Sequence, residues 1–259
     1  YLEAMGHSDP GSDAAFLAAR PAFVEEEPVR KCLLYAREAG AAIHIVHVTT
    51  AVALQAVADA RHHGQQATAE ACIPHLIMSE DDLSAKGAEA RVSPRLRSPK
   101  DVDALWRAVT SGVVANIASD HAAGTKADAL WGWEGVGEPG GGVASVEHLL
   151  PLALSSAVDR AIPLERVVHA LTEGPARLFG LWPRKGSLAL GSDADVVLVD
   201  MKQRKTIRGD EMLSKAKHTV FEGHEIHAVP VMTLVRGQVV FEDGVVVGRA
   251  GDGAYISRD

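Results

Sequence analysis

His47 is near the end of the run "AAIHIVHV", and Asp120 closes "VVANIASD". A neutral imidazole and a carboxylate are a ligand pair that suits zinc, iron or manganese, and an aspartate so placed can also accept a proton from a metal-activated water. Both residues lie at or near the end of a short apolar, β-branched stretch, the pattern of a buried strand. In a parallel barrel the chemistry sits at the C-terminal ends of the strands, which is where these two fall. A simpler reading stands beside this one, with His47 as a hydrogen-bonded core histidine and Asp120 as a helix cap. His44, counted in alternation from His47, is expected to face the helix layer. His62 and His63 flank the helix-stopping Gly64, and "HEIH" (His224 to His227) lacks the i, i+4 spacing of a helical zinc motif. Gly140, Gly141 and Gly142 do not have the setting of a phosphate loop; they suit close backbone approach to something small.

The elements that would carry these residues alternate. Residues 1 to 20 are polar and rich in Gly and Asp and read as loop; "PAFVEEEPVRKCLLYAREAG" reads as a helix stopped by Gly40, with an acidic first turn and basic residues later. After the His47 strand, "TTAVALQAVADARHHG" is a helix with Thr49 or Thr50 as N-cap and Gly64 as stop. "QQATAEACI" is a weaker strand, "SEDDLSAKG" opens on a capping signal, and "SPKDVDALWRAVTSG" is a capped helix leading into the Asp120 strand. Strand and helix repeating at spacings of about 25 to 45 residues mean βα units and a parallel sheet or barrel. The Gly- and Trp-rich stretch 123–144 is too long for a routine connection and is a candidate active-site loop. Helical patterns resume near 145–158 and 163–180, and beyond Gly186 only strands with tight Gly turns follow.

Composition narrows the classes. The chain has 259 residues, 47% hydrophobic and 23% charged, with a net charge of −8, a globular profile that argues against a nucleic-acid partner. No run approaches the roughly 18 apolar residues of a membrane span. The two cysteines, Cys32 and Cys72, are too few for a disulfide framework or a thiolate zinc site, so a cytoplasmic location is expected. The sequence opens on Tyr1 with no signal-peptide pattern, as a processed chain or the latter part of a longer protein would.

Several motifs in order, "ARPAFVEEEPV", "AREAGAAIHIVHVTT", "AEACIPHLIMSEDDL", "VSPRLRSPKDVDALWRAVTSG", "IASDHA", "GGVASVEHLLPL" and "PARLFGLWPRKGSLALGSDADVVLVD", resemble the cyclic amidohydrolases: the allantoinase, hydantoinase (dihydropyrimidinase) and dihydroorotase branch of the amidohydrolase superfamily. The resemblance runs from about residue 18 to about residue 248. It implies an α/β fold, the C-terminal part of a (β/α)8 TIM barrel over residues 1–183 and the C-terminal part of a β-sandwich over 184–259. It implies hydrolysis of the amide bond of a small cyclic amide or imide by a hydroxide bridging two divalent metals, zinc foremost. By this resemblance His47 is a metal ligand, Asp120 is both ligand and general base and acid, and His121 is its motif neighbour without an assigned role. Ser93 and the Gly141–Gly142 backbone are implied to lie near the substrate ring, and a homo-oligomer, commonly a tetramer, is implied as the assembly.

The family's His-x-His pair, its carboxylated lysine and its fifth-strand histidine have no counterpart here and are expected upstream of Tyr1. Three parallel strands leave open edges, and a barrel exists only when closed, so the chain alone is expected to be neither independently stable nor fully active. The departures from family motifs bear on substrate. "CIPHL" stands for the family's "CPHYL", "PRLR" places Arg95 where a proline is usual, "GGVAS" is closer to allantoinases than to hydantoinases, and "SDHAAG" lacks the "SDHAPH" of dihydroorotases. The order of expectation is therefore allantoinase-like or hydantoinase-like, then dihydroorotase. The alternatives are a non-catalytic scaffold or regulatory homologue, against which the retention of His47 and Asp120 speaks, and a related deaminase or imidazolonepropionase-like hydrolase.

Overall fold

The structure is a computed structural model, which describes residues 12–124 and 142–257. Contacts divide the chain into two compact units, 1–149 with 208–222, and 150–207 with 223–259.

The first unit is built on a three-stranded parallel sheet in the order β1 (Ile43–Ile45), β2 (Ala67–Cys72), β3 (Val114–Ala118). Helices α2 (Ala22–Glu38), α3 (Ala51–His62) and α6 (Pro99–Ser111) connect or precede these strands, and α4 (Ile73–Ile77) and α5 (Glu80–Lys86) follow β2. The capping signals hold where the sequence places them. The Thr50 hydroxyl accepts the Ala53 amide, Ser98 accepts the Asp101 amide, and Ser79 with Asp82 forms a reciprocal capping box. Gly112 stops α6 in the left-handed region, φ 75°.

Residues 12–20 are not all loop. Ser12 caps a short helix, α1 (Asp13–Ala18), whose Asp13 pairs with the buried Arg91 at 2.5 Å while Phe16 sits under the Arg20 and Arg91 guanidinium groups. The local polarity of the segment conceals this, because the stabilising partner is 78 residues away.

The two faces of β2 differ in kind. Ala67, Ala69 and Ala71 are buried under α3, whose inward side carries Ala53, Leu54, Ala56 and Val57. Small residues on both surfaces let helix and sheet approach closely. The opposite face carries a polar row. Thr68 Oγ1 lies 2.8 Å from His44 Nδ1, His44 Nε2 lies 3.4 Å from Glu70, and Asn116 Nδ2 donates to Glu70 at 2.7 Å. His44 thus shares a face with Thr68, Glu70 and Asn116, not with the helix layer. Counting back from His47 fails because the strand ends at Ile45 and His47 has φ 41°, which breaks the two-residue alternation.

In the second unit, helices α7 (Leu149–Asp159), α8 (Leu164–Leu171) and α9 (Glu173–Leu178) precede an antiparallel sheet. The single helix expected over 163–180 breaks at Thr172, ahead of Gly174–Pro175, where proline has no amide to continue the ladder. The sheet runs β4 (Val196–Asp200), β7 (Val229–Val235), β8 (Gln238–Glu242), β9 (Val245–Val246); β5 (Lys205–Thr206) and β6 (Glu225–Ile226) form a separate pair. The β8–β9 hairpin turns on Asp243–Gly244, both at positive φ (46° and 85°), the conformation that matches a two-residue turn to strand twist. Lys185 pairs with Asp193 at 2.9 Å and with Asp195, and Asp195 also accepts the Arg236 amide.

Candidate metal-binding and catalytic site

Because β1, β2 and β3 are parallel, their C-terminal ends share one edge of the sheet, and the candidate residues follow from those ends. His47 comes two residues after β1 and is half-buried; Asp120 comes two residues after β3 and is exposed. Both have left-handed backbones, φ 41° and 47°, although neither is glycine. Such conformations cost on the order of 1–3 kcal/mol and persist where surrounding contacts enforce them. Among the described residues neither the His47 ring nor the Asp120 carboxylate has a hydrogen-bond or ion-pair partner. Their donor atoms are thus open for a ligand.

The His47 side is held by carboxylates from neighbouring elements. Glu70 accepts the His47 amide, and its own main-chain carbonyl accepts the Val48 amide at 2.9 Å. Glu25, reaching from α2, accepts the Thr49 and Thr50 amides at 2.9 and 3.0 Å and both threonine hydroxyls. Arg97 neutralises Glu25 from 3.3 Å, donates to Thr49 Oγ1 at 3.0 Å and to the Arg20 carbonyl at 2.6 Å. Burial alone would push the Glu70 carboxyl up, but hydrogen bonds from His44, Asn116 and the His47 amide outweigh it and hold Glu70 below the ordinary carboxylate range. Burial also pulls the Arg97 guanidinium down, opposed by Glu25.

The Asp120 side is held differently, by a returning stretch of main chain. Ser145 Oγ donates to the Ser119 carbonyl at 2.6 Å, the Ala122 amide donates to the Val143 carbonyl at 3.1 Å, and His121 bridges to Val143 in parallel register. The His121 Nδ1 accepts the Ser145 and Val146 amides at 3.1 and 3.2 Å. Gly142 fits this approach because a Cβ there would lie 2.8 Å from the Ala122 carbonyl oxygen and collide with its methyl group.

Between the two sides stands His75, on α4 just beyond the end of β2 and 2% exposed. Its Nε2 is 2.8 Å from the Pro94 carbonyl, an acceptor only, so that nitrogen carries the proton. Its Nδ1 is buried without a partner. Burial pulls the imidazole below the usual histidine range, partly offset by the Pro94 carbonyl, and both His47 and Asp120 act on it electrostatically. His47, His75 and Asp120 thus each follow the C-terminal end of one of three adjacent parallel strands. Ser93 is exposed and next to the Pro94 that His75 holds; Gly142 lies against Ala122; Gly141 lies outside the described residues. Arg95 turns aside to the Arg20 and Leu96 carbonyls and to Glu80. Cys72, at the end of β2, is buried, and burial with the nearby Asp120 and Glu70 carboxylates pushes its thiol far up; Cys32 on α2 is exposed.

His75, Glu25, Glu70 and His121 were not singled out for the site by sequence. Each works through a partner distant in sequence, and "AEACIPH" and "SDH" are the only local signals they leave. Of the "HEIH" histidines, His227 lies 3.5 Å from Asp159 of α7. Among the described residues no group of three or more His, Cys, Asp or Glu side chains could hold a metal ion.

Comparison with known proteins identifies the family. The family model described as "Amidohydrolase family" matches residues 6–240. The chain is 33% identical to an L-hydantoinase of Paenarthrobacter aurescens over 99% of its own length and 56% of the relative's. It is 36% identical to an allantoinase of Rubrobacter xylanophilus over 91% of its length and 52% of the relative's. Among solved structures, a D-hydantoinase (dihydropyrimidinase) from a Thermus species superposes with a TM-score of 0.90 at 30% identity, over 98% of this chain and 56% of that one. The chain spans about half the length of the curated relatives it matches. Its α/β fold is that of part of a hydantoinase, a portion of a TIM barrel together with a portion of a β-sandwich. With a family model covering most of its length and strand ends that present His47 and Asp120 at one edge, this chain belongs to the amidohydrolase family.

Proposed function

We propose that the protein carrying this chain hydrolyses the amide bond of a small cyclic amide or imide, of the hydantoin, dihydropyrimidine or allantoin kind, with a divalent metal. The observation that carries the reading is the pair of unbonded donors, His47 and Asp120, at the shared C-terminal edge of three parallel strands. An imidazole nitrogen and a carboxylate fit zinc, and two such ligands need further donors from outside the described residues to complete a site. Zinc, in a two-metal centre with a carboxylated lysine, is the form favoured by the resemblance. Bound there, a divalent metal supplies polarisation of the amide carbonyl and acidification of a water.

The chain's own residues supply the rest. Asp120 Oδ takes the proton of the attacking water and delivers it to the leaving amide nitrogen, so that one carboxylate serves as base and then as acid. Ser93 and the Gly141–Gly142 main chain meet the alternating donors and acceptors of the planar ring, with Gly142 free of a side chain that would intervene. His75 fixes the 93–94 connection through the Pro94 carbonyl. In domain terms, residues 1–183 belong to the barrel and 184–259 to the sandwich, in a homo-oligomeric enzyme.

The test is hydrolysis of hydantoin, dihydrouracil, allantoin and dihydroorotate by the purified protein, with metal measured by elemental analysis before and after chelation. Ring opening that disappears with the metal and returns with zinc supports the proposal. A metal-free protein inert toward all four is the scaffold reading instead.

A further inference from the structure

Asp120 is flanked on both sides by contacts from one short stretch, residues 142–146. On its N-terminal side the Ser119 carbonyl accepts from Ser145 Oγ; on its C-terminal side the Ala122 amide donates to the Val143 carbonyl. The His121 side chain completes this clasp. Its Nδ1 lone pair receives two main-chain amides, Ser145 and Val146, at 3.1 and 3.2 Å, and a nitrogen that accepts cannot carry the proton, so the ring is the Nε2–H tautomer. Ser145 is fully buried, and Gly142 abuts Ala122 too closely for any side chain. The Asp120 backbone has φ 47°, a conformation that aspartate keeps only when neighbours over-determine it. Without the two His121 bonds the stretch 142–146 would keep the Val143 and Ser145 hydrogen bonds and the Gly142–Ala122 contact.

We propose that His121 is the positioning residue for Asp120: by accepting the Ser145 and Val146 amides it locks the 142–146 return against residues 119–122 and so fixes where the Asp120 carboxylate points. This deepens the function proposed above and rests on Asp120 being the proton-transfer group. His121 touches no reacting atom in this role; a side chain presenting one acceptor at the same place does the same work. The Asn Oδ1 is as many bonds from Cα as the His Nδ1, so His121→Asn keeps the acceptor and removes the ring, while His121→Ala removes both.

The experiment compares wild type, His121→Ala and His121→Asn in the complete metal-loaded protein, reading amide hydrogen exchange at Ser145 and Val146, steady-state kinetics and metal content. His121→Ala is expected to speed exchange at both amides about tenfold, as loss of an acceptor worth roughly one hydrogen bond each would. It is expected to lower kcat about tenfold with KM within about twofold and metal content unchanged, because a displaced base slows the chemical step and leaves binding alone. His121→Asn should return both exchange and kcat to within about threefold of wild type. Unchanged exchange in His121→Ala overturns the proposal, as does an effect on KM in place of kcat. Failure of His121→Asn to restore kcat although exchange is restored also overturns it, since the ring itself would then be needed. A wild type that opens no cyclic amide, with exchange following the variants as expected, sinks the functional reading and supports the clasp. Should His121→Ala not fold, His121→Phe keeps a ring and removes the acceptor, and should show the same faster exchange and lower kcat; wild-type values of both sink the proposal equally.

Discussion

The three-stranded parallel sheet and the four-stranded antiparallel sheet are built on opposite principles. In the parallel sheet, four of the six β2 residues are fully buried, and the helix-facing side is alanine throughout. In the antiparallel sheet no residue of β4, β7, β8 or β9 reaches full burial, and Val197, Leu198, Val239, Val245 and Val246 are exposed. The first sheet spends its packing on one face and keeps a hydrogen-bonded polar row, His44, Thr68, Glu70 and Asn116, on the other. The second carries apolar side chains of the sort that a facing sheet covers in a sandwich, and is tied meanwhile by surface ion pairs around Lys185. Precise placement of reactive groups therefore belongs to the first. Perturbing its strand ends should be costly, and perturbing the second sheet's ion pairs should not.

The largest effect tests the chemistry at the parallel strand ends. Asp120→Asn should lower kcat by about 10²–10⁴, since a carboxamide cannot accept the proton; near-normal turnover would remove Asp120 from the mechanism. Next comes the buried pair behind His47. Arg97→Met leaves the Glu25 carboxylate, 11% exposed, without its counter-charge and should cost about 3–5 kcal/mol in denaturant unfolding. A loss under about 1 kcal/mol would mean that the four threonine bonds to Glu25 suffice. Ala69→Leu pushes a larger side chain into the gap between β2 and α3 and should cost about 1–3 kcal/mol, read as a drop in unfolding midpoint.

The smallest effect is expected in the second sheet. Asp195→Asn breaks a pair in which the aspartate side chain is 34% exposed, and after solvent screening should cost less than about 1 kcal/mol. A loss matching that of Arg97→Met would erase the contrast between the sheets. The pH dependence has a definite sign. Lys185 holds the Asp193 carboxyl below its ordinary value, and hydrogen bonds from Lys185 and the Arg236 amide do the same for Asp195 against the opposing effect of burial. Stability from these carboxylates is present above the ordinary aspartate value of 3.8 and is lost as pH falls through the lowered folded values. Thermal unfolding followed from pH 7 downward should be flat until that region and then fall, and Asp195→Asn should blunt the fall.

Local rules made much of this legible. Ser79, Ser98 and Thr50 announce their helices, the β-branched runs announce the strands of the first unit, and the strand ends announce His47 and Asp120. What stayed hidden depends on distance in sequence. Helix α1 looks like loop until Arg91 and Asp13 meet; Glu25 has no visible function until α2 reaches Thr49 and Thr50; His121 has none until Ser145 and Val146 return to it. The face of His44 is hidden for another reason, because His47 has positive φ and two-residue alternation does not extend through it.

The contrast between Cys32 and Cys72 has a practical side. A thiolate, not a thiol, attacks electrophilic reagents, and Cys72 is both shielded and held protonated, whereas Cys32 lies open on α2. Within these residues a maleimide fluorophore should therefore attach at Cys32 alone, with no engineered cysteine and no disturbance of the strand-end edge. Because Glu25 sits on the same helix and grips Thr49 and Thr50, such a dye would report by its anisotropy whether α2 loosens when that grip is broken.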